Sequence, residues 1–142
     1  MSLCLFEGTD INVGRGTDWP FQVIGYPDPV FGDFKYTPGV RPGMVAHVEQ
    51  QGEECYGIDL RDVNAQDEKF TLKYLIDFYE KADFKDRFFS RASFFDKLAG
   101  TDQLREQIIA GKTEDEIKES WAMELKEYKT MRKKYLLYKD FE

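Results

Sequence analysis

Helical periodicity is confined to the second half of this 142-residue chain, and that asymmetry restricts the fold more than any other feature. Before residue 62 the apolar residues come in short runs broken by glycine and proline: Leu3–Phe6, Phe21–Gly25, Met44–Glu49 and Cys55–Arg61. Runs of this length and composition read as strands. Gln51-Gly52-Glu53 is a turn, so the last two runs are expected to pair as a hairpin, with Tyr56, Ile58 and Leu60 on one face. Residues 26–43 hold four of the five prolines and read as an irregular excursion. Its aromatics, Phe31, Phe34 and Tyr36, either pack it onto the body or line a groove.

From residue 68 the period changes. Leu72, Leu75, Ile76 and Tyr79 form one stripe and predict a helix over 68–82. The aromatic-rich stretch 84–96 fits strand, short helix or loop. Leu104 and Ile108 predict a short helix opened by Thr101 and stopped by Gly111. Thr113-Glu114-Asp115-Glu116 is a capping box that starts the last helix. Its stripe runs Ile117, Trp121, Leu125, Tyr128, Met131 or Arg132, and Tyr135, with Trp121 as a core anchor. Strands first and helices afterward argue an α+β class. The expected architecture is a single domain whose small antiparallel sheet is covered on one face by helices 68–82 and 113–137.

One stretch follows neither period. Glu7 to Phe21 packs three glycines and many short polar residues into fifteen positions. It reads as a loop with unusual dihedrals. Arg15 lies between Gly14 and Gly16, where the backbone turns sharply and the guanidinium can fork onto a carboxylate, a phosphate or a pair of sugar hydroxyls. An ordinary turn, with Arg15 in solvent or bracing backbone carbonyls, satisfies the same spacing. A dinucleotide fingerprint would need a glycine where Trp19 stands, and the Gly-Lys-Ser/Thr of a P-loop is missing.

Composition removes several function classes. A hydrophobic content of 42% supports a core, and this length suits one domain. A net charge of −7 argues against a nucleic-acid backbone as partner. No apolar run approaches membrane-spanning length, and no signal peptide is visible. Cys4 and Cys55 could pair, but each also suits a small buried apolar position. His47 is the single histidine, with no second metal-type ligand in register, so neither a metal site, a cofactor nor a hydrolase triad is expected.

Glu7-Gly8-Thr9, Gly14-Arg15-Gly16-Thr17, Pro20-Phe21 and Gly25 with Pro27 resemble the signature of the DUF1343 family, associated with exo-β-N-acetylmuramidases of the NamZ type. Cys55 to Ile58, Leu98 to Arg105, Ile117 to Trp121 and Arg132 to Tyr138 are similar as well, in the same order. The resemblance covers the C-terminal domain of that family. It implies that residues 1–142 are the auxiliary domain of a two-domain protein, with a Rossmann-like N-terminal domain absent and the cleft between the two. It also implies a parent glycosidase that releases N-acetylmuramic acid from the non-reducing end of peptidoglycan fragments, in the periplasm or outside the cell, with this fragment inactive alone. The partners implied are the missing N-terminal domain and a peptidoglycan-derived saccharide. Glycoside hydrolysis needs carboxylates beside the scissile bond. Glu7 is then a catalytic candidate, Arg15 a partner for the lactyl carboxylate, Thr9, Asn12 and Thr17 ligands of hydroxyl or acetamido groups, and Trp19 a platform for a sugar face. Two other roles stay open: a carbohydrate-binding module that acts alone, and an interaction domain without ligand. A Glu7–Arg15 pair that merely braces the loop fits the residues equally well.

Overall fold

The computed structural model describes residues 3–43, 48–63 and 70–140. The strands are β1 (Val23–Tyr26), β2 (Phe34–Tyr36) and β3 (Cys55–Asp59), forming an antiparallel sheet in the order β1-β3-β2. The helices are α1 (Lys73–Lys81), α2 (Lys85–Phe88), α3 (Ala92–Ala99), α4 (Gln103–Ile109) and α5 (Glu114–Arg132). The class is α+β, as the division of periodicities requires.

The central strand is β3, and both of its edges are occupied. Ile24 faces Ile58 and Tyr26 faces Tyr56 across one edge; Phe34 faces Gly57 and Tyr36 faces Cys55 across the other. A strand has two hydrogen-bonding edges, and at Tyr56 and Gly57 both are taken by β1 and β2; most of the 44–49 arm of the expected hairpin falls on residues that are not described. Residues 44–47, His47 among them, lie outside the described residues; Val48 is not in a strand, and Glu49 and Gln50 form a turn. The true partner, β2, lies within the proline-rich excursion that reads as irregular. Gly57 permits the crowding at the centre: a Cβ there would lie 1.8 Å from the carbonyl oxygen of Ile24.

Alternation along β1 sends its side chains to two separate clusters. Val23 joins Tyr36 and Cys55, with Trp19 and Phe34 packed on them. Ile24 joins the main core on the other face. That core is built of rings: Phe31 stacks on Phe78 at 5.1 Å, Tyr79 meets Phe88 edge-on at 5.2 Å, and Phe89 meets Phe95 at 4.8 Å. Such pairs add to the energy of area burial, and they show where the many phenylalanines go. The stretch 84–96 holds α2 and the start of α3, and Phe84, Phe88, Phe89 and Phe95 pack in or against the core while Phe94 is exposed.

Two other expectations are corrected. Leu3–Phe6 is not a strand but part of a short 3-10 helix, Leu3–Gly8. Leu5 and Phe6 are both buried, and a strand would point adjacent side chains to opposite faces. The helix over 68–82 begins only at Lys73, and residues 64–69 lie outside the described residues. Leu72 at its start is apolar and cannot cap it. The approach to α1 is instead clasped by another element: Glu114, at the foot of α5, accepts the Leu72 N–H at 3.0 Å and the Thr71 hydroxyl at 3.0 Å, and pairs with Lys118 at 2.6 Å.

The last helix departs most from expectation. Its start is as predicted, with Thr113 and Glu116 exchanging the bonds of a capping box at 3.3 and 2.8 Å. Ile117 is fully buried and Trp121 packs on the core. Beyond that the body ends and the helix continues. Leu125, Tyr128 and Met131 are 46%, 54% and 46% exposed. The α-helical residues that share the main core with Ile24 of the sheet come from α1 to α4 and, on α5, from Ile117 and Trp121.

Candidate functional site

The loop at residues 7–22 is rigid because its buried side chains bond to its own backbone. Thr9 donates its hydroxyl to the Phe6 carbonyl at 2.7 Å and accepts the Ile11 N–H at 3.1 Å. Asn12 is saturated: it donates to the carbonyls of Arg15 and Glu49 at 3.3 and 3.1 Å, and its oxygen accepts from Gly14 at 2.7 Å and from the Tyr36 hydroxyl at 3.1 Å. Thr17 donates to the Gly14 carbonyl at 2.7 Å and accepts the Trp19 N–H at 2.9 Å. The backbone of Asn12 pairs with Gly25 of β1, which ties the loop to the sheet. Burial pushes the Tyr36 phenol above its ordinary value, so it stays a neutral donor to Asn12. Burial also pushes the Cys55 thiol in that cluster up to about 12.

Gly14 and Gly16 take φ values of 76° and 85°, the left-handed region where a Cβ is penalised. Between them, Arg15 stands out from the surface with half of its side chain exposed. It pairs with Glu7 through Nη2 and lies 5.1 Å over the Phe21 ring. Phe21 itself has a φ of 58°, a conformation that costs a bulky residue about 1–3 kcal/mol and tends to mark functional sites. Among the described residues, Nε and Nη1 of Arg15 have no protein acceptor, so the fork keeps donors for an incoming anion.

Around this pair lies a ring of opposite charges that the sequence reading did not include. Arg91, just before α3, donates to the Glu7 carbonyl at 2.8 Å and the Thr9 carbonyl at 3.0 Å, and pairs with Glu49. The hydrogen bond to Glu49 holds Arg91 above the ordinary arginine value despite burial, and the charges of Glu49, Asp10 and Glu7 add to this. Asp10 faces Arg87 at 3.4 Å. Arg91 lies 84 residues from Glu7 in the chain, so no local spacing could announce it.

The sequence-chosen residues thus separate by position. Glu7 and Arg15 meet at the surface. Thr9, Asn12 and Thr17 are 0%, 1% and 8% exposed and spend their polar atoms on the loop, so the structure gives them a bracing position with no open face to a ligand. Trp19 is half-buried, edge-on to Phe34, with the Arg61 guanidinium 4.2 Å over its ring. Among the described residues no group of acidic, cysteine or histidine side chains could hold a metal ion. No helix among them is long and apolar enough to cross a membrane.

A family profile described as "Exo-beta-N-acetylmuramidase NamZ, C-terminal" matches residues 1–138. The chain belongs to the NamZ C-terminal family. Among relatives of this NamZ C-terminal chain, the peptidoglycan beta-N-acetylmuramidase NamZ of Bacillus subtilis (strain 168) is 34% identical over 152 residues. That match covers 94% of this chain and 35% of the relative. The crystal structure of a DUF1343 family protein from Bacteroides fragilis NCTC 9343 superposes with a TM-score of 0.88 at 42% identity, covering 98% of this chain and 39% of the other. The chain therefore spans little more than a third of the length of these NamZ and DUF1343 proteins.

Proposed function

We propose that this chain is the C-terminal domain of a two-domain exo-β-N-acetylmuramidase and supplies one wall of its saccharide cleft. The other wall belongs to a Rossmann-like N-terminal domain, which carries the main catalytic carboxylate. Arg15 receives the lactyl carboxylate that distinguishes N-acetylmuramic acid from N-acetylglucosamine. Glu7 is the carboxylate that this domain adds to the cleft. The substrate carboxylate takes the donors of Arg15 that Glu7 leaves unused, so one guanidinium holds Glu7 and the sugar side by side. Trp19 flanks the site, and Thr9, Asn12 and Thr17 act through the loop they hold. The parent protein then acts on the cell wall, in the periplasm or outside the cell.

The observation that supports this reading is the half-exposed Arg15 fork, with unused donors, on a loop braced by the hydrogen-bonded side chains of Thr9, Asn12 and Thr17. A guanidinium held this way loses little entropy on gripping a carboxylate. The test is release of N-acetylmuramic acid from a chromogenic glycoside by the full polypeptide. Arg15→Ala is expected to raise KM about 10- to 100-fold, the worth of a charge-assisted pair. An unchanged KM would remove Arg15 from the mechanism. A binding module that acts alone is the second reading, favoured by the same free donors. Calorimetric titration of a muramic acid disaccharide into the 142-residue chain tests it: millimolar or tighter binding, lost in Arg15→Ala, supports it.

A further inference from the structure

The apolar stripe of α5 does not stop where the body stops. Ile117 and Trp121 lie against the core, and Leu125, Tyr128 and Met131 continue the same helical face. These three are 46–54% exposed, and Tyr135 beyond them is 74% exposed. A helix alone in water gains nothing from holding such a stripe in register, and contiguous exposed apolar surface marks an interaction site. At the root of the stripe, Trp121, Phe70, Leu5, Leu98 and Leu104 line an open cavity of about 340 Å³. The stripe therefore runs from a socket wide enough for an apolar side chain onto an open helical face.

We infer that this surface, from the Trp121 socket along Leu125, Tyr128 and Met131, is the seat of the remainder of the family's polypeptide. The occupant is chosen by length. The family profile extends through residue 138 and the solved relative covers 98% of this chain, so α5 lies within the shared fold. Yet this chain covers only 35% and 39% of those relatives, and the remaining majority must sit somewhere. The stripe contains none of Glu7, Arg15 and Trp19, so its residues can be probed without touching the wall proposed to face the sugar. The inference rests on the two-domain part of the proposed function and is independent of Arg15.

Hydroxyl-radical footprinting, read by mass spectrometry, compares the 142-residue chain with the full polypeptide its gene encodes. Leu125, Tyr128 and Met131 are expected to oxidise several-fold more slowly in the full polypeptide. Met123, 74% exposed and about 140° round the helix from Tyr128, is expected to react equally in both. Equal rates at Tyr128 and Met131 in the two proteins overturn the inference. So does protection already present in the 142-residue chain that grows with its concentration, since the occupant would then be a second copy. The readout needs no turnover, so failure here and failure of the Arg15 test are separate results.

Discussion

The loop at residues 7–22 and the distal half of α5 reverse the usual relation between regular structure and anchorage. The loop has almost no repeating backbone hydrogen bonds, yet Thr9, Asn12 and Thr17 tie it down from within. The helix is unbroken for nineteen residues behind a complete capping box, yet past Trp121 its apolar Leu125, Tyr128 and Met131 are about half exposed. A helix of that kind draws most of its stability from packing of its face. The contrast teaches that order in the backbone and attachment to the body are separate quantities, and that each region spends on a different one. The loop presents a charge in one direction; the helix presents an unused surface.

Asn12→Ala strikes the loop hardest. It strands the buried Gly14 N–H and takes the amide donor from the Arg15 and Glu49 carbonyls, while the Tyr36 hydroxyl keeps only the Asn12 backbone carbonyl. The expected cost is about 3–4 kcal/mol, seen as a lower urea midpoint with unchanged slope. A loss below about 1 kcal/mol would mean that the loop is held by its backbone alone.

Glu114→Gln acts at the junction between the two regimes and is expected to cost about 1–2 kcal/mol at neutral pH. Burial works to raise the Glu114 carboxyl, but the bonds from Lys118, Leu72 and Thr71 outweigh it, so it lies below its ordinary 4.5. A depressed carboxyl stabilises the fold above its unfolded value and loses that contribution as pH falls through the folded one. The gap between wild type and Glu114→Gln should therefore be full at pH 7 and shrink below pH 4.5, measured by urea unfolding across that window. A gap that persisted in acid would show that packing, and not charge, makes the clasp.

Leu125→Ala in the 142-residue chain is the mildest change, with a shift expected within about 0.5 kcal/mol. A buried leucine would cost about 2–5 kcal/mol on the same replacement. A large shift here would show the stripe to be already covered, erasing the contrast.

Much of the second half was readable from local chemistry. The Thr113–Glu116 box and the left-handed Gly111 at the end of α4 both act within a few residues, so sequence order reports them directly. Arg15 was readable for the same reason, since its flanking glycines set its backbone. The rest depends on distance. β2 hides among prolines because its only qualification is the free edge of β3. Arg91 reaches the loop only after α1 to α3 fold back on it. The burial of Thr9, Asn12 and Thr17 was equally invisible, because a small polar residue in a loop reads alike whether it faces a ligand or its own backbone. The stripe of α5 was legible as a pattern, but a periodic face does not say whether its partner is at hand.

The Glu114 clasp sits at the base of a helix nineteen residues long, a rod of about 28 Å. A tilt of about ten degrees at that pivot would carry the far tip sideways by about 5 Å, on the scale of one helical turn. Two hydrogen bonds from Thr71 and Leu72 to one carboxylate thus help to set the aim of the whole lever arm, and acid weakens that hinge.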